Sequence, residues 1–136
     1  MKHFSAMLVL ALGFSALFAA APQRIILSPC EQSENNMALA FRFYETVDSG
    51  KVQYTLNAPD VNLHKRAETL CVATEKVFTN AGDSVLHYVC SIRLSDLQED
   101  SEYAYRVGDG RNWSPWYTFR TAKRGFNDFT MVYLGD

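Results

Sequence analysis

The stretch Ser95–Tyr103, with the sequence SDLQEDSEY, decides the fold of this chain. It is a polar connection between two segments of alternating apolar residues, 86–94 and 103–107, and its Leu97 precedes Tyr103 by six residues. This arrangement is typical of the tyrosine corner of a Greek-key sandwich, in which the ring packs inward and the hydroxyl bonds to backbone upstream. Such a bond contributes about 1 kcal/mol and the buried ring about 2 kcal/mol more. Leu97 and Tyr103 therefore predict a β-sandwich; the alternative is a tyrosine that lies on a strand by chance.

Apolar and polar residues alternate along most of the remaining chain, with a period near two rather than the 3.6 of a helix. Turn sequences rich in Gly, Asp, Asn and Pro separate the alternating segments. Residues 61–79 are less regular, and they fit either strand at 70–73 and 76–78 or a short helix at 62–69. The pattern predicts an all-β, antiparallel Greek-key sandwich of about seven short strands, similar to fibronectin type III and immunoglobulin domains. The clearest strands are residues 24–28, 37–44, 52–56, 86–94, 103–107 and 116–121.

The composition narrows the class of protein. A chain of 136 residues has room for one ordinary domain. A hydrophobic share of 48% and a charged share of 21% exclude a disordered tail or a collagen-like repeat. The formal net charge is −2, so neither sign dominates and we expect no nucleic-acid partner.

The first residues have the pattern of an export signal. Lys2 supplies a positive start, Phe4–Phe18 is almost wholly apolar, and Ala19-Ala20-Ala21 supplies small residues for cleavage. We predict a signal peptide over residues 1–21, a secreted or periplasmic protein, and no membrane association after cleavage. Pro22 is an unfavourable residue after a cleavage site, and the alternative interpretation is a membrane-tethering anchor.

The three cysteines, Cys30, Cys71 and Cys90, allow at most one internal disulfide. A hairpin centred between Ala81 and Gly82 would place Cys71 opposite Ile92, so a bridge to Cys90 would need a change of register. The other interpretation is that all three are small buried apolar side chains. The sequence contains no C-x-x-C or H-x-H motif that would indicate a zinc site.

Two histidines lie outside the predicted signal, and neither has a metal-binding neighbour in sequence. His64 stands beside Lys65 and is expected in a solvated loop, while His87 is expected alone on an outward strand face. Neither residue is predicted to be catalytic.

An aromatic segment, Trp113-Ser114-Pro115-Trp116-Tyr117, lies at the end of the last hairpin, and we call it the aromatic hairpin. It is similar to the W-S-x-W-S signature of cytokine-receptor fibronectin modules, with Tyr117 in place of the final Ser. Trp113, Trp116, Tyr117 and Arg106 could form an exposed platform for a sugar or a partner protein. The other interpretation, which we favour, is a stiffening ladder of guanidinium and indole groups along the sheet edge.

The last residues differ in character from the rest. Phe129–Leu134 is a nearly continuous apolar run of the kind found in a strand that is buried on both faces, and it is followed by Gly135-Asp136. Enzymes with α/β folds place metal ligands at the carboxyl end of such strands. Residues 123–136 are therefore predicted to be a linker and the first strand of a second domain that is truncated here.

Taken in order, several segments resemble the N-terminal region of purple acid phosphatases. The resemblance implies a secreted protein that joins a fibronectin-like domain, residues 22–122, to a calcineurin-like metallophosphoesterase domain. Phe43 departs from it, because the family often has Trp on this strand. The segments are Arg24–Pro29, Met37–Arg42, Leu97 with Tyr103–Gly108, Trp113-Ser114, Phe119–Thr121 and Phe129–Asp136.

The resemblance also implies a chemistry for the whole enzyme. Two metal ions, iron with zinc, manganese or a second iron, would hydrolyse phosphate monoesters, and Asp136 would be one ligand. The other ligands of the family lie in later motifs. We therefore expect no catalytic residue and no tightly bound metal in this chain, and a C-terminal catalytic domain as its partner. The alternative is a free-standing fibronectin-like binding or adhesion module that uses the Trp113–Tyr117 hairpin.

Overall fold

The structure, a computed structural model, describes residues 21–81 and 83–125. Within them it contains seven strands and one short helix, and every ladder between strands is antiparallel. The predicted all-β antiparallel fold is confirmed. Residues 1–20 of the predicted signal peptide and the predicted terminal strand up to Asp136 lie outside the described residues. The elements are β1 (Gln23–Pro29), β2 (Met37–Phe43), β3 (Ser49–Leu56), α1 (Leu63–Arg66), β4 (Glu68–Ala81), β5 (Asp83–Leu94), β6 (Glu102–Gly108) and β7 (Tyr117–Arg120).

The strands follow the order β1-β2-β5-β4-β3-β6-β7. β4 belongs to two sheets, because residues 68–73 pair with β3 and residues 74–81 pair with β5. The first sheet is thus β1-β2-β5-β4 and the second is β4-β3-β6-β7. β2 and β5 are neighbours although two strands separate them in the chain, which is the long-range pairing of a Greek key.

The two sheets share one apolar core. On β2 the inward residues Leu39, Phe41 and Phe43 are at most 1% exposed, while Ala38, Ala40 and Arg42 point the other way and are half-buried. Leu94 on β5 and Val52 and Val107 on the second sheet are fully buried. The alternation predicted from the sequence therefore marks the faces that meet in the core.

The region that the sequence left open, residues 61–79, contains both predicted elements. Asn62 caps α1, since its side-chain oxygen accepts a hydrogen bond from the Lys65 N–H at 3.3 Å. After the helix, β4 runs for 14 residues and β5 for 12, so these strands are longer than the short strands that we predicted. β4 is long because it serves both sheets.

The predicted hairpin register between β4 and β5 is wrong. Ala81 pairs with Asp83, which centres the hairpin on residue 82 instead of between residues 81 and 82. Cys71 does not face Ile92, because this part of β4 pairs with β3 and Cys71 lies opposite Lys51. A position on β4 before residue 74 therefore has no partner on β5.

All three cysteines are free thiols. Cys90 is buried, Cys30 is half-buried and Cys71 is exposed, so the interpretation of three buried side chains is wrong for Cys71. Its neighbour Val72 points into the core at 4% exposure, and alternation then turns Cys71 outward.

In the part of the chain that the structure describes, no helix is long and apolar enough to cross a membrane.

Candidate functional site

The aromatic hairpin packs around the guanidinium group of Arg106 on β6. The Arg106 Cζ atom lies over the Trp113 ring at 4.6 Å from its centroid and over the Trp116 ring at 4.7 Å. Each contact is a cation–π interaction of the kind that contributes about 0.5–2 kcal/mol. Burial lowers the pKa of Arg106 from its ordinary value. The sequence-predicted residues Arg106, Trp113 and Trp116 are thus brought together, and we call them the Arg106 ladder.

A polar row across three strands holds the Arg106 guanidinium in place. Its Nε donates a hydrogen bond to Oε1 of Gln53 on β3 at 2.8 Å. The Gln53 Nε2 in turn donates to Oγ1 of Thr69 on β4 at 3.0 Å. These residues are register partners, Gln53 with Arg106 and Gln53 with Thr69, so the row follows directly from the strand pairing.

The loop between β6 and the first tryptophan is fixed by its own hydrogen bonds. Asp109 Oδ1 accepts from the backbone N–H groups of Arg111 at 2.7 Å and Asn112 at 2.6 Å. Burial alone would raise the pKa of Asp109, but these hydrogen bonds outweigh it and the pKa is lowered. Gly108 permits the close return of the chain, because a Cβ there would lie 2.0 Å from the Asn112 carbonyl oxygen.

Ser114 joins the hairpin to β6. Its Oγ accepts from the Val107 N–H at 3.1 Å, and its own N–H donates to the Val107 carbonyl at 2.8 Å. Ser114 is buried, and it lies between the two tryptophans in the sequence. The Trp-Ser-x-Trp spacing therefore places one serine on the strand backbone and the two indoles beside Arg106.

Trp116 also contacts the short helix. The His64 ring meets it edge-on, with centroids 5.7 Å apart and an interplanar angle of 82°. His64 is exposed, as expected, but it lies on α1 instead of in a loop. The Trp116 Nε1 atom is buried without a hydrogen-bond partner among the described residues. Trp116 is thus covered from two sides.

Tyr117 is the most open member of the predicted platform, at 41% exposure. Its ring packs against the Tyr105 ring, with centroids 5.7 Å apart. The pKa of Tyr105 is raised, mainly by burial and to a smaller extent by the nearby Tyr117. Since Arg106 lies over both indole rings, one face of each ring is already occupied within the domain. The geometry favours the ladder interpretation over the platform.

The other predicted structural feature lies at the opposite end of β6. The Tyr103 hydroxyl accepts a hydrogen bond from the Gln98 N–H at 2.9 Å, five residues upstream. Tyr103 is 6% exposed and Leu97 is 3% exposed. The ring stacks on Phe119 of β7 with centroids 5.6 Å apart, so the corner joins the connection to the last strand pair.

The residues 21–81 and 83–125 contain no group of three His, Cys, Asp or Glu side chains that could hold a metal ion. Asp136, the predicted ligand, lies outside them. The two metal ions implied by the resemblance therefore do not fit the residues described here, and we derive no chemical step through them.

The sequence analysis missed a cluster on the outer face of the first sheet. His87 was expected alone and outward on β5; it does lie on the outer face, but it is only 5% exposed. The Tyr44 ring covers it edge-on, with centroids 4.9 Å apart. Arg42, opposite Val89 on the same face, lies over that Tyr44 ring. The pairing of β2 with β5, which the sequence does not specify, brings these side chains together.

Comparisons with known proteins identify a family and several solved structures that are similar to this chain. The family model described as the purple acid phosphatase N-terminal domain matches residues 22–121. No curated protein sequence matches the chain. Among solved structures, a purple acid phosphatase from seeds of yellow lupin (Lupinus luteus) is 13% identical with a TM-score of 0.50 over 76% of this chain. The match covers 20% of the lupin chain, so the present chain corresponds to about a fifth of that enzyme.

Two smaller structures are similar over most of their length. A computationally redesigned β-sandwich protein is 15% identical, with a TM-score of 0.49 over 76% of this chain and 96% of its own. The third fibronectin III domain of the human KIAA0343 protein is 13% identical, with a TM-score of 0.48 over 82% of this chain and 89% of its own.

Proposed function

The chain belongs to the family of purple acid phosphatase N-terminal domains, and from that premise we propose that residues 22–122 are the accessory domain of a secreted acid phosphatase. The family match over residues 22–121 is the observation that carries the proposal. The whole protein would hydrolyse phosphate monoesters at a centre of two metal ions, iron with zinc, manganese or a second iron. A catalytic domain on the C-terminal side would hold these ions, and Asp136 would be its first ligand.

The role that we assign to the described residues is structural. The predicted linker and first strand of the catalytic domain begin at residue 123. Thr121, directly after β7, ties this end of the domain to the corner, since its hydroxyl donates to the Gln98 carbonyl at 2.6 Å. The exit of the chain is also fixed by the Ala122 N–H, which donates to the Ser33 carbonyl at 3.1 Å. A domain with its last strand anchored in this way can support a neighbouring domain at a defined position, and we place it beside the mouth of the active site.

The competing function, a free-standing binding or adhesion module, would use Trp113, Trp116 and Tyr117 as its contact surface. The position of Arg106 over both indole rings argues against this role. The contacts with Arg106 predict instead that Trp113→Ala and Trp116→Ala lower the stability of the domain. A glycan or protein ligand whose binding is lost in these variants, while the melting temperature stays unchanged, would favour the adhesion module.

The experiment that tests the proposal compares the present chain with the product of the complete reading frame. Both are incubated with iron, zinc or manganese and a chromogenic phosphate monoester. We expect turnover by the complete protein and none by the present chain above a blank that contains metal alone. Turnover by the present chain, or a complete protein without phosphatase activity, would contradict the proposal.

The role of Asp136 is tested in the complete protein by Asp136→Asn. We expect lower metal content and loss of turnover, because one carboxylate ligand is removed from the metal centre. Asp60→Asn serves as the matched control, since it removes the same charge from an exposed turn of the accessory domain. Export is tested by sequencing the N-terminus of the secreted protein, which we expect to begin at Pro22.

A further inference from the structure

The outer face of the first sheet carries a cluster of polar side chains, which we call the Arg42 cluster and define as Arg24, Arg42, Tyr44 and His87. The guanidinium of Arg42 lies over the Tyr44 ring at 4.9 Å from its centroid, and its Nη2 donates to the Tyr44 hydroxyl. His87 meets the same ring edge-on and is 5% exposed. Tyr44 therefore shields both residues from solvent.

Two polar atoms of this cluster are buried without a hydrogen-bond partner among the described residues. They are Arg42 Nε and His87 Nδ1. A buried N–H group that is unpaired loses its hydration without compensation, and folded proteins satisfy such groups with an ordered water or an ion. Two such atoms on side chains that share one tyrosine ring therefore need a partner from outside the chain, either an ordered water or an ion.

The charges around the cluster identify the kind of ligand. The pKa of His87 is lowered, first by burial and then by the positive charges of Arg42 and Arg24. The ion pairs among the described residues involve Arg120 and Arg124, so neither Arg24 nor Arg42 has a carboxylate within ion-pair distance. From β4, Glu75 faces the same side opposite Val89, and its side chain is exposed. Two arginines, and one acid that lies outside ion-pair distance of both, favour an anion over a cation.

We propose that the Arg42 cluster is a binding site for an oxyanion, held by Arg42 Nε–H and by His87 with Nδ1 protonated. Arginine pairs with carboxylate, phosphate and sulfate oxygens through charge-assisted hydrogen bonds. Arg24 contributes a second positive charge from β1, where it is exposed and has a φ of 45°. The site is independent of the proposed phosphatase activity, because it lies within the described domain and uses no metal ion.

The test is an NMR titration of the histidine side chains of the purified protein with sodium phosphate, sodium sulfate and sodium acetate in separate arms. Sodium chloride keeps the ionic strength constant, since screening alone changes exposed charges. We expect the His87 signals to shift saturably and the pKa of His87 to rise when the anion is bound, while the His64 signals stay unchanged. A response to phosphate and sulfate alone identifies a tetrahedral oxyanion, and a response that includes acetate identifies carboxylate binding.

Variants assign the response to the cluster. Arg42→Gln is expected to weaken binding about tenfold or more, because a charge-assisted hydrogen bond is lost. Arg24→Gln, at an exposed position that leaves the core intact, is expected to weaken it less. The matched control is Arg93→Gln, which removes the same charge from β5 opposite Ala38, away from His87.

The proposal is overturned if His87 does not respond to any of the three anions, or if Arg24→Gln and Arg93→Gln reduce the response equally. A crystal structure grown in phosphate that shows only water at Arg42 Nε and His87 Nδ1 would also overturn it.

Discussion

Gly50 on β3 faces Cys90 on β5 so closely that a Cβ added to Gly50 would lie 2.5 Å from the Cys90 sulfur. The same Cβ would lie 2.8 Å from the Phe41 ring on β2. The two sheets are therefore in close contact at a residue without a side chain. The two sheets can pack at this distance only because residue 50 has no side chain.

Gly50→Ala is expected to lower the free energy of unfolding by about 1–3 kcal/mol, because the added methyl group overpacks the core. Urea unfolding of the purified domain measures the change. In the double variant Gly50→Ala/Cys90→Ala the loss should be smaller than the sum of the two single losses, since the sulfur that collides with the new methyl group is gone. Additive losses would show that residues 50 and 90 are not in contact.

The three thiols should differ in reactivity in the folded protein. Burial raises the pKa of Cys90 to about 11, whereas Cys71 is exposed. Because the thiolate is the reactive form, we expect an alkylating reagent at neutral pH to modify Cys71 first and Cys90 only after unfolding. Mass spectrometry of peptides from timed samples measures this order. Early modification of Cys90 in the absence of denaturant would contradict the described core.

Removing the central group of the Arg106 ladder should destabilise the domain. Arg106→Met keeps an unbranched apolar side chain but loses the charge over two indoles and the hydrogen bond to Gln53, so we expect a loss of about 1–2 kcal/mol. Arg111→Met is the matched control, because it removes the same charge from an exposed position of the neighbouring loop. Equal melting temperatures for the two variants would remove the ladder as a stabilising element.

The hydroxyl group of the corner tyrosine can be tested alone. Tyr103→Phe keeps the ring against Phe119 but leaves the Gln98 N–H without its acceptor, and a loss of about 1 kcal/mol is expected from denaturant unfolding. Tyr54→Phe removes a hydroxyl that donates to Glu68 at the surface, at 3.0 Å, and should cost less. The reverse order would indicate that the corner bond contributes nothing.

The sequence predicts those features of the fold that depend on one strand at a time. The alternation on β2 and β5 identified the inward residues, because each of these strands belongs to a single sheet with one buried face. It failed on β4, since residues 68–73 and 74–81 pair with different strands and no single alternation describes both.

The candidate site, too, was predictable only where it depends on one segment of the sequence. Two tryptophans three residues apart indicate a shared partner, and the sequence analysis named Arg106 for it; the contacts with both indole rings follow from the position of Arg106 on β6. Arg120 instead pairs with Asp100 at 2.9 Å. The covering of His87 by Tyr44 depends on a residue beyond the end of β2 and on a pairing that is distant in sequence, so the pattern of β5 alone could not reveal it.

Acidification should weaken the loop that carries the tryptophans. Hydrogen bonds from Asn112 and Arg111 lower the pKa of Asp109 in the folded protein although burial opposes this. A carboxyl group whose pKa is lower in the folded state contributes stability above its unfolded pKa of about 3.9, and this contribution is lost as the pH falls through the folded value.

Asp109→Asn should therefore be less stable than the unmodified protein at pH 7, by about 1 kcal/mol after allowance for its partial exposure, and the difference should shrink as the pH falls below about 3.9. Urea unfolding at a series of pH values measures the difference, with Asp60→Asn as the control for loss of one charge. A difference that stays constant down to pH 2 would mean that the carboxylate charge does not hold the loop, and that the shape of the side chain alone positions Trp113 and Trp116 beside Arg106.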